Sequence, residues 1–264
     1  RQRQMCIRDR CDLMCGLPGQ TAASWKRTLD GVLAAAPHHV SVYPLTLEEG
    51  TPLYCMACRD ESLEPDEDFQ AACMDVAREL LGAAGYHPYE VASYALDSHE
   101  CAHNIAYWTG RGYLGLGRSA AGMLDAEDFD RLAGLFPGVS SRGDAYRVRL
   151  VQRYDDATAF ETEYLSQREA AAEDLMLACR MTRGVASDLL VRAARVIPAD
   201  GLTAACDRAL ELGLATWVPE TLGVHEGPFT SADVLAGHVR ARLAPTHLGW
   251  LDGNVLFELF WDLA

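Results

Sequence analysis

The spacing of apolar positions changes period twice within the first fifty residues. Cys11-Asp-Leu-Met-Cys15 alternates as a short strand and is ended by Gly16-Leu-Pro-Gly19. Thr21 is placed to cap a helix on which Trp25, Leu29, Val32 and Leu33 fall at helical spacing. Pro37 stops that helix, and Val40-Ser-Val-Tyr43 reads as a second strand. Strand, helix and strand in this order form a βαβ unit, which implies a parallel sheet covered by helices. A further helix runs through Phe69, Met74, Val76, Leu80 and Leu81, closed by Gly82 or Gly85, and an extended piece comes next at Tyr89–Ser93. Residues 11–123 therefore read as the trailing half of an α/β barrel.

Periodicity weakens after Asp125. Pro137-Gly138 and Ser140-Ser141 predict a loop-rich connector over 124–165. Ser166-Gln-Arg-Glu169 is a capping box that opens a new helix, and two more helical stretches end at Gly213. An extended Leu214–Val218, a turn through Gly223–Pro228 and a last helix over roughly Asn254–Asp262 complete the chain. Three helices and a short hairpin outline a winged-helix-like, mostly helical domain at 166–264.

Composition restricts what such a molecule binds. The net charge is −15 with no basic block, which repels phosphate backbones and argues against nucleic acid. The winged-helix outline therefore predicts packing or docking, not DNA reading. No apolar run approaches the roughly 18 residues of a membrane span, and no signal-peptide pattern opens the chain, so the cytoplasm is expected. The nine cysteines lack the even spacing of a disulfide framework and are expected to be mostly buried hydrophobes. Residues 1–10, Arg-Gln-Arg-Gln-Met-Cys-Ile-Arg-Asp-Arg, share no periodicity with the rest of the chain. They are expected to be a non-native leader on a chain truncated at its start.

On the first strand Asp12 shares a face with Met14, opposite Cys11, Leu13 and Cys15. The apolar set suits the helices, so Asp12 is expected to face the barrel interior, either bonded to a ligand or in a structural salt bridge. Cys11 and Cys15 have the spacing of the first two cysteines of a C-x3-C-x2-C cluster motif, but Pro18 stands where the third would be. On a strand they would also lie about 13 Å apart. Cys55-Met-Ala-Cys58 has no second pair at zinc spacing and reads as a helix turn with two incidental cysteines. His103-Asn-Ile-Ala-Tyr-Trp108 offers an imidazole beside two flat rings, which suits either haem contact or a buried structural histidine. His99, four residues earlier, is a rival ligand.

Several of these segments resemble one family in order. Asp12-Leu-Met-Cys-Gly-Leu-Pro-Gly-Gln-Thr21 is similar to the D-L-x-x-G-L-P-x-Q-T signature of the radical-SAM haem-chaperone and oxygen-independent coproporphyrinogen-oxidase family. Val40–Thr46 with Glu49–Leu53, and Tyr113-Leu-Gly-Leu-Gly117, resemble its later elements, and His103–Trp108 resembles the H-N-x-x-Y-W motif of the haem-chaperone branch. Gly117-Arg-Ser-Ala-Ala121 departs from the G-P-G-A-H-S form of that branch.

The resemblance implies a fragment of a partial radical-SAM (β/α) barrel followed by the helical domain. It implies S-adenosylmethionine contacts at Asp12, Thr46 and Ala121, and haem contacts at His103, Asn104, Tyr107 and Trp108, with His103 toward the iron. It implies a [4Fe–4S] cluster in the intact protein, with its cysteines upstream of Asp12 and absent from this chain. The expected function is a haem chaperone that delivers haem to respiratory proteins, compatible with a homodimer and with peripheral membrane contact. The alternative is an oxygen-independent coproporphyrinogen III oxidase of porphyrin biosynthesis.

Overall fold

The computed structural model describes residues 9–136, 138–156, 158–220 and 229–264. Most of the expected leader, Pro137 of the expected loop and the turn through Gly223–Pro228 lie outside the described residues. The chain forms two compact units, Arg1–Cys101 and Ala102–Ala264.

In the first unit β1 (Arg10–Cys15) and β2 (His39–Pro44) pair in parallel around α1 (Ala22–Ala35), as the βαβ reading requires. Thr21 caps α1 in a reciprocal box with Ser24. The glycine-proline loop before it is closed by one side chain, because Gln20 Oε1 accepts the Gly16 N–H at 2.7 Å. Gly16 has a φ of +75°, and a Cβ there would lie 2.4 Å from Gln70, so the signature's glycine answers both to backbone conformation and to close approach. After the short α2 (Pro52–Ala57) comes α3 (Glu67–Ala83), which buries Cys73, Ala77 and Leu81 and leaves Val76 exposed. The Trp25 indole N–H donates to the Cys73 carbonyl at 2.9 Å and ties α1 to α3.

The extended piece expected at Tyr89–Ser93 is instead the connection between two short strands, β3 (His87–Pro88) and β4 (Ser93–Ala95). Both are antiparallel to their neighbours, and the sheet order is β1-β2-β4-β3. A hairpin leaves no room for a crossover helix, so the last strand cannot continue the parallel pattern.

The second unit opens with α4 (Ala102–Trp108). The expected connector at 124–165 is largely regular structure: β5 (Ala121–Asp125), β6 (Arg147–Gln152) and β7 (Phe160–Leu165) form an antiparallel sheet. With α5 (Ala126–Leu132) it builds a small core of Leu124, Phe129, Phe136, Val148 and Leu150. Capped by Ser166 and Glu169 as predicted, α6 (Gln167–Cys179) leads into α7 (Ser187–Ala193) and α8 (Ala199–Glu211). The strand β8 (Ala215–Pro219) pairs with β9 (Ala241–Pro245) across an intervening α9 (Ser231–Leu235), so the expected short hairpin is a wider one. The chain ends in α10 (His247–Leu251) and α11 (Gly253–Trp261).

Candidate functional site

The sheet of the first unit has two unlike faces. Alternation turns Cys15, Val40, Val42 and Tyr94 toward the helices, where they are buried with Trp25, Leu29 and Leu81. The other face carries Arg10, Asp12, His39, Ser41, Tyr43 and Ser93. Asp12 sits on this polar face as expected, beside Ser41 in register, but its side chain is 55% exposed and its Oδ1 accepts from Arg10 Nε at 2.6 Å. Thr46 is exposed in the loop after β2. Ala121 belongs to the second unit, where it opens β5 opposite Val151.

Deeper on the polar face is a pair that sequence reasoning missed. His39 is 4% exposed, its Nε2 lies 2.8 Å from the Tyr89 hydroxyl, and its Nδ1 is buried without a hydrogen-bond partner. Ser41 and Ser93 hydroxyls meet at 3.0 Å next to it. Burial holds the His39 imidazole below its ordinary range, reinforced by the Arg10 charge and opposed by Asp12. Burial likewise pushes the Tyr89 phenol up to about 12. His39 and Tyr89 are fifty residues apart, and no local spacing announces such a contact.

The four residues of the histidine-aromatic motif fall on α4, where positions four apart share a face. His103 is exposed in the first turn, and its ring meets the edge of Tyr107 at 4.8 Å between centroids. Tyr107 in turn packs on Tyr113 at 4.3 Å. Burial pushes the Tyr113 phenol up to about 12, helped by a hydrogen bond with Tyr107. Asn104 and Trp108 lie half-buried on the other pair of positions. The Arg180 guanidinium stands 5.2 Å from the Trp108 ring centre and 4.4 Å from that of Phe257, so one face of Trp108 is already covered. The rival His99 belongs to the first unit, stacks on His38 at 4.6 Å, and places its Nδ1 2.8 Å from the Asp97 carbonyl.

Behind the aromatic ladder is a partly buried ion network. Arg147 forms a bidentate pair with Asp174 at 2.9 and 3.0 Å and reaches Glu173 at 3.3 Å, while Arg149 bridges Glu163 and Glu173. Gly110 ends α4 at a φ of +64°, with Asp174 so close that a Cβ would lie 2.3 Å from its oxygen.

Among the described residues no group of three histidine, cysteine or acidic side chains could hold a metal ion. Cys11 and Cys15 stay apart on β1, and Cys55 and Cys58 are free and exposed. The described residues do not fit a [4Fe–4S] cluster. An exposed imidazole beside the Tyr107 ring does fit a haem, and the half-exposed Asp12 carboxylate, which meets Arg10 through Oδ1, keeps Oδ2 for a cationic ligand.

No family model matches the chain. It is similar over 95% of its length to the solved structure of coproporphyrinogen III oxidase (HemN) from Escherichia coli, a radical SAM enzyme, with a TM-score of 0.60, 16% identity and 54% of that chain covered. The fold is thus that of a radical-SAM protein of this type, over part of its length. In sequence the chain is similar to haem chaperones called HemW and to radical-SAM domain proteins. It is 34% identical over 174 residues to the HemW haem chaperone of Synechocystis, covering 66% of this chain and 40% of that protein. It is 35% identical over 123 residues to the mitochondrial radical S-adenosyl methionine domain-containing protein 1 of Danio rerio, covering 46% of this chain and 28% of that protein. The matched regions span well under half of these relatives.

Proposed function

We propose that this chain is part of a haem-binding chaperone that uses the radical-SAM scaffold and passes haem to respiratory acceptor proteins in the cytoplasm. The observation that carries the reading is the exposed His103 imidazole seated on the Tyr107 ring. A haem carrier must also release its cargo, and an exposed ligand on a short helix suits reversible binding better than a closed pocket does. His103 would ligate iron, Tyr107 would meet the porphyrin, and Asn104 would orient the imidazole or bond a propionate. Trp108 would contribute apolar ring surface. Asp12, Thr46 and Ala121 are the positions assigned to S-adenosylmethionine in the same reading, with a cluster supplied by residues other than those described.

The test is haemin titration of the 264-residue chain, monitored by its Soret band. His103→Ala should shift or weaken the band, and His99→Ala should change it much less. If His99→Ala abolishes binding and His103→Ala does not, the ligand assignment moves to His99. If neither has an effect, the chaperone reading fails. Turnover of coproporphyrinogen by the parent protein with no haem uptake would favour the oxidase alternative instead.

A further inference from the structure

We infer that Tyr113 is a positioning residue that sets the orientation of His103 toward bound haem, acting through the ring of Tyr107. The inference rests on the haem reading and goes beyond it in naming what fixes the ligand. A seven-residue helix such as α4 is too short to hold its own first turn firmly, and His103 stands in that turn. Something outside the helix has to fix the imidazole if it is to present one nitrogen to iron.

Tyr113 has an anchorage of its own. Its backbone N–H donates to the Met123 carbonyl at 2.8 Å, and its carbonyl accepts from the Met123 N–H at 2.8 Å, which fastens it to β5. The glycines around it permit that approach. A Cβ on Gly115 would lie 2.1 Å from the Ala121 carbonyl, and one on Gly122 would lie 3.2 Å from that of Tyr113. The Tyr113 ring then packs on Tyr107 at a tilt of 32°, is hydrogen-bonded to it, and feels the charges of Arg149 and Glu173 in the ion network. Position therefore passes from β5 to Tyr113, then to Tyr107, then to His103. The glycine-rich segment Tyr113–Gly117 gains a role in the haem reading without touching the ligand.

The experiment compares haemin complexes of the whole chain carrying Tyr113→Phe, Tyr113→Leu and His103→Ala. Tyr113→Phe keeps the ring and loses the phenol hydrogen bond, so haemin affinity should fall about fivefold. Tyr113→Leu loses the ring as well and should cost about tenfold or more, with a broadened Soret band and an altered spin-state mixture. Partial recovery from Leu to Phe is the signature of positioning. If Tyr113→Leu does not fold, the Phe variant decides alone.

Wild-type affinity and an unchanged spectrum in the Tyr113→Phe variant and in any folded Tyr113→Leu variant, with binding lost in His103→Ala, would overturn the inference and leave the haem reading standing. A wild-type spectrum typical of a phenolate-ligated haem that disappears in Tyr113→Phe would also overturn it, because tyrosine would then be the ligand. Haemin binding unaffected by His103→Ala would remove the reading itself, and the inference with it.

Discussion

Burial beside an arginine and a tyrosine sets the protonation of His39. Taking the imidazole out of water penalises its charged form, the Arg10 charge adds to that penalty, and Asp12 offsets part of it. The folded imidazole therefore holds its proton less tightly than the unfolded one, whose ordinary pKa is 6.5. As pH falls through 6.5 toward the folded value, the unfolded state binds more protons and gains relative stability, so stability is lost on acidification. Above 6.5 both forms are neutral, and the contribution levels off. Thermal melts of the chain should therefore drop in midpoint from about pH 7 to about pH 5, above the range where most carboxylates titrate. His39→Gln should flatten that slope while keeping a group able to reach Tyr89. Parallel slopes for the two proteins would show that His39 does not govern acid stability.

At the scale of elements, the structure agrees with the sequence where a signal is local. The Thr21 cap, the turn at Gly16–Gly19 and the capping box at Ser166 depend on residues within a few positions of one another, and each stands where the pattern places it. Features that depend on partners far along the chain are less legible. The strands at 121–165 are short and lie among turn-forming residues, and their pairing is settled by partners in other strands. The face of Asp12 is legible from alternation, whereas its partner Arg10 belongs to the stretch that reads as a leader. The motif at His103–Trp108 is legible as a string of residues. Its division into a pair led by the exposed His103 and a pair carrying the covered Trp108 requires the helix and Arg180.

Gly184 illustrates a long-range requirement on which a sequence alone is silent. It comes after α6 at a φ of +70°, and a Cβ there would lie 2.1 Å from the Leu243 carbonyl, beside the bridge between Val185 and Leu243. Gly184→Ala should strain the backbone and push β9 away. We expect a loss of about 2–4 kcal/mol, read as a lowered denaturant midpoint. A change within about 0.5 kcal/mol would mean that β9 shifts without penalty.

At the scale of the whole molecule, one strong charge opposes an exposed edge. In the order β1-β2-β4-β3, β1 is a six-residue edge strand whose outer backbone groups have no strand partner among the described residues. Met14, Leu17 and Tyr43 add exposed apolar surface on and after these strands. Such an edge is a template for pairing with a second chain. The net charge of −15 works against it, since two copies repel one another until salt screens them. The Debye length falls from roughly 20 Å at about 20 mM salt to about 4 Å at about 500 mM, which removes most of that repulsion and leaves apolar contact and edge pairing intact. Sedimentation velocity should therefore show mainly monomer at low salt and larger species at high salt. Met14→Glu sets a further negative charge on the exposed edge strand, and at high salt it should return most of the protein to monomer. Association driven by ion pairs would show the reverse, dissolving as salt rises. A monomer at every salt concentration would mean that the β1 edge is shielded in solution by neighbouring parts of the same chain.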